Sequence, residues 1–530
     1  MSRIKVLDCT LRDGGYVNNW MFGEERIRCV ISGLHQANVD IIECGYLNNH
    51  SVTGIGSTQF SGVEAITPFL GGRKEGCMYV AMVDFGKMDL DAIPDYDGTS
   101  LDGIRVAFHQ KDMLAALDYC RAVQAKGYRV FVQPMVSMNY TDQEFISLIH
   151  LVNEIKPYAF YIVDSFGVMK RKDLIRLFYL VEHNLRPDIW IGYHSHNNLQ
   201  LAYSNAQALA AIQTARNLII DSSIFGMGRG AGNLNTELFV EYLNDSFGHR
   251  YEINPLLQVM DQALNSIYYS SYWGYSLSHY LSAIHNCHPN YASYLDDKKT
   301  LTVESIEAIL TMLPREKKSS YDKQTIENLY RSYMSNEAAE ADARQQVESS
   351  LKDKRILVIG PGKSSEQEKD RIAACAAEAD VVSVSVNFEY PHCAPDYVFL
   401  SNQRRARTLR QEARAKTIIT SNIQSQDCLL QVSYEKLLND HDHVADNAGL
   451  MLVNYLKQIG VREILLAGID GYSYDVTQNY AADHMAMHAS NATMDAMNQG
   501  MCAVLTQYST QVPIQFLTAP RHVHIGAKPE

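Results

Sequence analysis

The chain has little of what would tie it to a membrane, a polyanion or an oxidising compartment. It contains no apolar run of the roughly 20 residues that a membrane helix needs. Its amino terminus runs directly into a strand-like segment rather than a signal peptide. The 10 cysteines are scattered with no Cys-x-x-Cys pair, so neither a zinc cage nor a disulfide framework is indicated. Positive charge is not in excess: 47 Lys and Arg against 60 Asp and Glu give a net charge of −13. That leaves no footprint for nucleic acid or an anionic lipid surface. Low-complexity tracts are absent as well. These absences predict a cytoplasmic protein acting on small molecules, and 530 residues predict more than one domain.

What is present is alternation. Apolar, β-type runs at Lys5–Thr10, Val39–Gly45, Cys77–Val83, Gly103–Ala107, Arg129–Met135, Ala159–Asp164, Trp190–His194 and Asn217–Ile224 alternate with helix-like stretches. Among the latter are Glu24–Gln36, Asp112–Lys126, Asp142–Ile155 and Asp173–Asn184. Eight such βα units over about 230 residues predict an α/β protein whose amino-terminal domain is a (β/α)8 TIM barrel. A doubly wound sheet competes, but it would not bring the first and seventh strand ends together. In a barrel the chemistry sits at the carboxyl ends of the strands. Polar residues fall at those ends: Arg12 and Asp13, Glu43, Asp84, His109, Ser137, Asp164, His194 and His196, and the run Gly226–Asn233.

Two of these ends carry metal chemistry in combination. His194 and His196 are two apart at a strand end, so their imidazoles share one face. Asp13 follows the first strand beside Arg12. One carboxylate and two imidazoles form a three-ligand set that leaves positions open for water and substrate. Either motif alone reads as well as a surface ion pair or a pair of packed histidines.

The stretches Leu7-Asp8-Cys9-Thr10-Leu11-Arg12-Asp13-Gly14, His194-Ser195-His196-Asn197-Asn198 and Gly230–Glu237 resemble, in order, the signature regions of the metal-dependent pyruvate aldolases and lyases. That group includes 4-hydroxy-2-oxovalerate aldolase and 3-hydroxy-3-methylglutaryl-CoA lyase. The resemblance covers residues 1–295 and is nearest to the 4-hydroxy-2-oxovalerate aldolase branch. It implies that Asp13, His194, His196 and Asn233 surround Mn²⁺ or Mg²⁺, and that Arg12 steadies the enolate oxygen of a 2-oxo acid. It implies pocket roles for Glu43, Ser137, Asp164 and Tyr275, an aldehyde as second substrate, and a homodimer. One position departs from the pattern. Such aldolases carry a histidine a few residues after Arg-Asp as the acid/base, and this chain has Tyr16. A phenol with a pKa near 10 is a poor base at neutral pH unless a nearby metal or Arg lowers it, which keeps Tyr16 as a catalytic candidate; otherwise a water or His109 takes the role.

Residues 296–352 read as a helical extension and linker, and 353–530 as a smaller Rossmann-like α/β domain. Its expected strands are Arg355–Ile359, Asp380–Val386, Asp396–Leu400, Ala415–Thr420, Glu463–Ala467 and Val512–Leu517, with a helix at Ala448–Ile459. It weakly resembles the nucleotide-sugar domains of sialyltransferase-like and pterin diphosphokinase-like proteins. The turn holding Gly360, Gly362 and Ser364 is a candidate phosphate site. It is not a P-loop, because Leu357 stands where the first glycine belongs. His484/His488 and His522/His524 have no accompanying carboxylate pattern. The expected activity is a metal-dependent aldolase or lyase of 2-oxo acids, with sugar or surface-polysaccharide precursor metabolism suggested by analogy. The rivals are a Claisen-type acyl-CoA synthase, a bifunctional enzyme with a nucleotide-binding carboxy-terminal domain, and a non-catalytic barrel.

Overall fold

The computed structural model describes residues 4–50, 54–70, 72–298, 301–334, 341–423, 428–482, 485 and 489–526. His484 and His488 lie outside the described residues. Two compact units are formed, one by Met1–Ser293 with Pro314–Tyr321, the other by Tyr294–Leu313 with Asp322–Glu530. The stretch expected as extension and linker is thus divided. The helices Val303–Thr311 and Lys323–Met334 belong to the second unit, while Pro314–Tyr321 belongs to the first.

The first unit is the expected barrel. Its ring is formed by β1 (Ile4–Asp8), β2 (Ile41–Leu47), β3 (Met78–Asp84), β4 (Gly103–Phe108), β5 (Arg129–Pro134), β6 (Ala159–Asp164), β7 (Trp190–Ser195) and β8 (Leu218–Ser222), with the two-residue strand Gln59–Phe60 added beside β2. All pair in parallel, each with its sequence neighbour, and β1 closes the ring by pairing with both β2 and β8. These strands are covered on both faces, which is why they read as near-continuous apolar runs. Inside the ring pack Leu7, Ile41, Val80, Phe131, Tyr161 and Ile219. Outside it, Val6, Ile42, Ile104 and Ile162 meet the apolar faces of the surrounding helices. One such helix, Asp142–Ile155, starts at a reciprocal capping box between Thr141 and Glu144.

The first strand ends two residues earlier than its apolar run suggests. After Asp8 the chain turns into a short helix, Thr10–Asp13, in which the Asp13 N–H donates to Cys9 O at 2.8 Å. That turn lifts Arg12 and Asp13 over the barrel mouth instead of continuing the ladder.

The second unit is a seven-stranded parallel sheet built from β9 (Arg355–Ile359), β10 (Val381–Val386), β11 (Tyr397–Leu400), β12 (Thr417–Thr420), β13 (Leu430–Val432), β14 (Glu463–Ala467) and β15 (Ile514–Phe516). The spatial order is β13-β12-β11-β10-β9-β14-β15. The order reverses between β9 and β14, and that is the position where doubly wound sheets open a ligand crevice. No helix among the described residues is long and apolar enough to cross a membrane.

Candidate metal centre

Asp13, His194 and His196 come together as the sequence pattern requires: one ligand atom from each lies within 4.8 Å of the others, and all three residues are buried. His196 Nδ1 is 3.7 Å from Asp13 Oδ2. Asn233 joins them by donating from Nδ2 to Asp13 Oδ2 at 2.6 Å. It is brought there by an isolated bridge between His196 and Asn233.

Several atoms in the cluster are poised for a ligand. Among the described residues, Asn233 Oδ1, His196 Nδ1 and Arg12 Nη2 are buried with no hydrogen-bond partner, a costly state for protein atoms that nothing else will engage. His194 is pinned the other way. Its Nδ1 lies 3.0 Å from Asp221 Oδ2, which orients the ring and keeps Nε2 for coordination. Protonation states agree with this. Burial alone would raise the Asp13 carboxyl, but Arg12, His196, His194 and Arg229 outweigh it and hold the group well below the usual carboxylate range. Burial pushes His196 well below the ordinary imidazole value, so the ring is neutral. An ionised carboxylate, the neutral His196 ring, the oriented His194 ring and an amide oxygen fit a divalent cation.

Arg12 is clamped beside the cluster. Nη1 meets Asp13 Oδ1 at 2.6 Å and Nε meets Glu43 Oε2 at 2.8 Å. The Trp20 indole donates to its carbonyl oxygen at 2.8 Å. Behind it runs a buried chain of charge. Arg105 Nη1 lies 2.9 Å from Glu43 Oε1, and Arg105 Nη2 pairs with Asp221. Tyr161 Oη donates to Asp221 Oδ1 at 3.1 Å. Arg12, Glu43, Arg105, Asp221 and His194 therefore form one continuous network inside the barrel. Sequence reading missed Arg105 and Asp221. The signal was a charged residue inside each of two apolar strands, Gly103–Phe108 and Leu218–Ser222, where a buried charge requires a partner.

Above the cluster opens a cavity of about 200 Å³. Arg12, Asp13, His194 and His196 form one part of its wall, with Tyr16, Tyr46, Asp84, His109 and Arg229 around them. Tyr16 Oη lies 3.1 Å from Tyr46 Oη, and the Arg229 guanidinium stacks over the Tyr16 ring at 5.4 Å. Burial raises the Tyr16 phenol despite Arg229, so it stands as a protonated donor. His288 and Ser319, Ser320 and Tyr321 complete the lining. These are residues that the sequence pattern had shown only as a helical break and a linker.

The other expected site residues stand elsewhere. Glu43 does not line the cavity and sits fully buried behind Arg12. Ser137 Oγ accepts from Val163 N at 2.9 Å and donates to Pro134 O at 3.1 Å, which ties two strand ends together. Asp164 accepts from the N–H groups of Val168 and Met169 at 2.9 and 3.0 Å, shaping the loop after β6, and burial pushes its carboxyl up to about 7. Tyr275 is 54% exposed and outside the cavity lining. In the second unit the N–H groups of the candidate phosphate turn are already used. Gly360 N donates to Ala467 O at 2.7 Å and Gly362 N to Gly468 O at 2.9 Å. Ser364 N donates to Asp470 Oδ2 at 2.7 Å. A carboxylate sits where an anion would have to bind, so this turn is not an open phosphate cradle.

Residues 3–260 match the HMGL-like family. An oxaloacetate decarboxylase of Mycobacterium tuberculosis is 28% identical over 246 residues, 45% of this chain and 69% of that protein. A 4-hydroxy-2-oxovalerate aldolase of Geobacillus genomosp. 3 is 28% identical over 264 residues, 49% of this chain and 75% of that protein. Among solved structures, the N-terminal domain of a candidate aldolase from Bacteroides vulgatus superposes with a TM-score of 0.50 at 27% identity, covering 57% of this chain and 98% of that one. These relatives are named as a decarboxylase and aldolases, and the similarity lies in the barrel.

Proposed function

We propose that the HMGL-like barrel of this chain is a divalent-metal-dependent aldolase or lyase that makes or breaks the carbon–carbon bond next to a 2-oxo acid, with an aldehyde as its partner. One observation carries the reading. A single cavity is lined by Asp13, His194 and His196, the buried His196 Nδ1 and Asn233 Oδ1 have no hydrogen-bond partner, and an anchored guanidinium, Arg12, adjoins them. Asp13, His194, His196 and the amide oxygen of Asn233 would hold the cation, and the oxygen and nitrogen donors suit Mn²⁺ or Mg²⁺. When bound, the cation supplies Lewis-acid polarisation of the 2-oxo carbonyl.

The chain's own residues supply the rest. Arg12 is fixed by Glu43 and Asp13, so its charge is in place before the enolate oxygen develops and no reorganisation is needed at that moment. Asp221 orients His194, and Arg105 ties Asp221 to the carboxylate that holds Arg12. Tyr16 and Arg229 stand at the cavity wall as donors for the carboxylate or hydroxyl of a substrate. The cavity is smaller than the roughly 300–1,000 Å³ of drug-sized sites and suits a short 2-oxo acid with a small aldehyde.

Oxaloacetate decarboxylation tests the reading without knowledge of the aldehyde, because losing CO₂ leaves the same enolate. Pyruvate release with Mn²⁺ should exceed that with free Mn²⁺ alone, and Asp13→Asn should lower it by roughly 10³-fold, the several kcal/mol of a metal's charge stabilisation. Release no faster than with free Mn²⁺, from protein that binds the ion, contradicts the reading.

A further inference from the structure

Two groups on the cavity wall can act as a base: His109, whose ring burial keeps neutral, and the carboxylate of Asp84, which reaches the cavity from the neighbouring strand end. Tyr16 is a protonated phenol hydrogen-bonded to Tyr46. His288 Nδ1 accepts from the Asn290 N–H at 3.2 Å, so its proton sits on Nε2, and that ring can donate but not accept there. The buried carboxylates of the barrel are committed to partners. Asp8 is bonded to Thr10 and Thr236, Asp13 to Arg12 and Asn233, and Glu43 to Arg12 and Arg105. Asp164 holds backbone N–H groups, and Asp221 is bonded to Arg105, His194 and Tyr161.

Asp84 is different. It is the last residue of β3, in register with Ala107 of β4, and it lines the same cavity as Arg12, Asp13, His194 and His196. Met82, two residues earlier, also lines the cavity, as the strand's two-residue period requires. On the neighbouring strand Ala107 and His109 repeat that spacing into the same space. Among the described residues the Asp84 carboxylate makes no hydrogen bond and no ion pair. Arg12, Arg229, His109 and Lys87 act on it only from a distance, and partial burial raises its pKa above the ordinary carboxyl value, toward the range where a carboxylate both takes and returns a proton.

We infer that Asp84 is the proton-transfer group of this site, a role resting on the enolate reading above. In cleavage, the Asp84 carboxylate takes the proton of the substrate hydroxyl. The O–H electrons become the aldehyde C=O, the adjacent carbon–carbon bond breaks, and its electrons form the enolate held against Arg12. The Asp84 carboxyl then gives that proton to the enolate carbon, so the 2-oxo acid leaves and the carboxylate is restored. Condensation runs the same steps backwards. No oxidant or second acid is required.

Two reactions of one enolate separate this role from a structural one. Exchange of pyruvate C3 protons with deuterium needs a base, whereas oxaloacetate decarboxylation forms the enolate without one. Both are followed by NMR, with Mn²⁺, for the wild type and Asp84→Asn. The ratio of exchange to decarboxylation should fall by about 10²-fold or more in the variant, the usual contribution of a positioned base. Parallel loss of both, or an unchanged ratio, overturns the role of Asp84. Wild-type decarboxylation without any exchange overturns it too while leaving the enolate reading intact. Neither reaction in the wild type above the rate of free Mn²⁺ would bring down the enolate reading itself, and Asp84 with it.

Discussion

The two parallel sheets place polar residues at their carboxyl ends in the same way and use them in opposite ways. In the barrel, the strand-end groups leave donors and acceptors unspent around a cavity: Asn233 Oδ1, His196 Nδ1, Arg12 Nη2 and the Asp84 carboxylate. At the switch point of the second sheet, Ser364, Gly468, Asp470 and Thr518 are spent on one another. Ser364 bonds to Asp470 and Thr518, and Gly468 N donates to Thr518 Oγ1 at 3.0 Å. Where the strands end is a rule of topology. Whether a site results depends on whether the local side chains neutralise each other.

The comparison can be broken at its most buried point. Arg105→Leu leaves Glu43 and Asp221 without their shared counter-charge, in a place with no solvent to replace it. The expected loss is about 3–5 kcal/mol of unfolding free energy, measured by urea denaturation; a loss below 1 kcal/mol would mean that the network is not held by charge. A milder cut lies one link further on. Asp221→Asn keeps the shape but weakens the hold on His194, and should lower Mn²⁺ affinity by about 10–100-fold with the fold intact, as read by titration calorimetry. The smallest effect is expected at the closed end of the second sheet. Asp470→Asn should cost roughly 1 kcal/mol of stability and leave Mn²⁺ affinity unchanged.

Both the legible and the illegible parts of this molecule have physical causes. The eight barrel strands were readable because burial on both faces makes them continuously apolar. Their ends were less so, since Cys9 and Thr10 look like more strand until the helical turn Thr10–Asp13 is seen. Asp13, His194 and His196 were readable from the two-residue spacing of the histidines and from barrel closure. Arg105 and Asp221 were not, because they are 116 residues apart in sequence and meet only inside the closed ring. Pro314–Tyr321 gave no sign of returning to the barrel mouth, where Ser319, Ser320 and Tyr321 line the cavity. In the second sheet β13 is three residues long, too short for any period to register. The Gly-rich turn after β9 suggested a phosphate site, because nothing local shows that Asp470, 106 residues later, will occupy it.

The central claim is that Asp13, His194 and His196 form a divalent-cation site, and Mn²⁺ binding measured by electron paramagnetic resonance tests it most directly. One high-affinity Mn²⁺ per chain in the wild type, lost in Asp13→Asn and in His196→Ala while Asp470→Asn keeps it, is the result predicted. Mn²⁺ binding that survives both substitutions at the barrel mouth would contradict it.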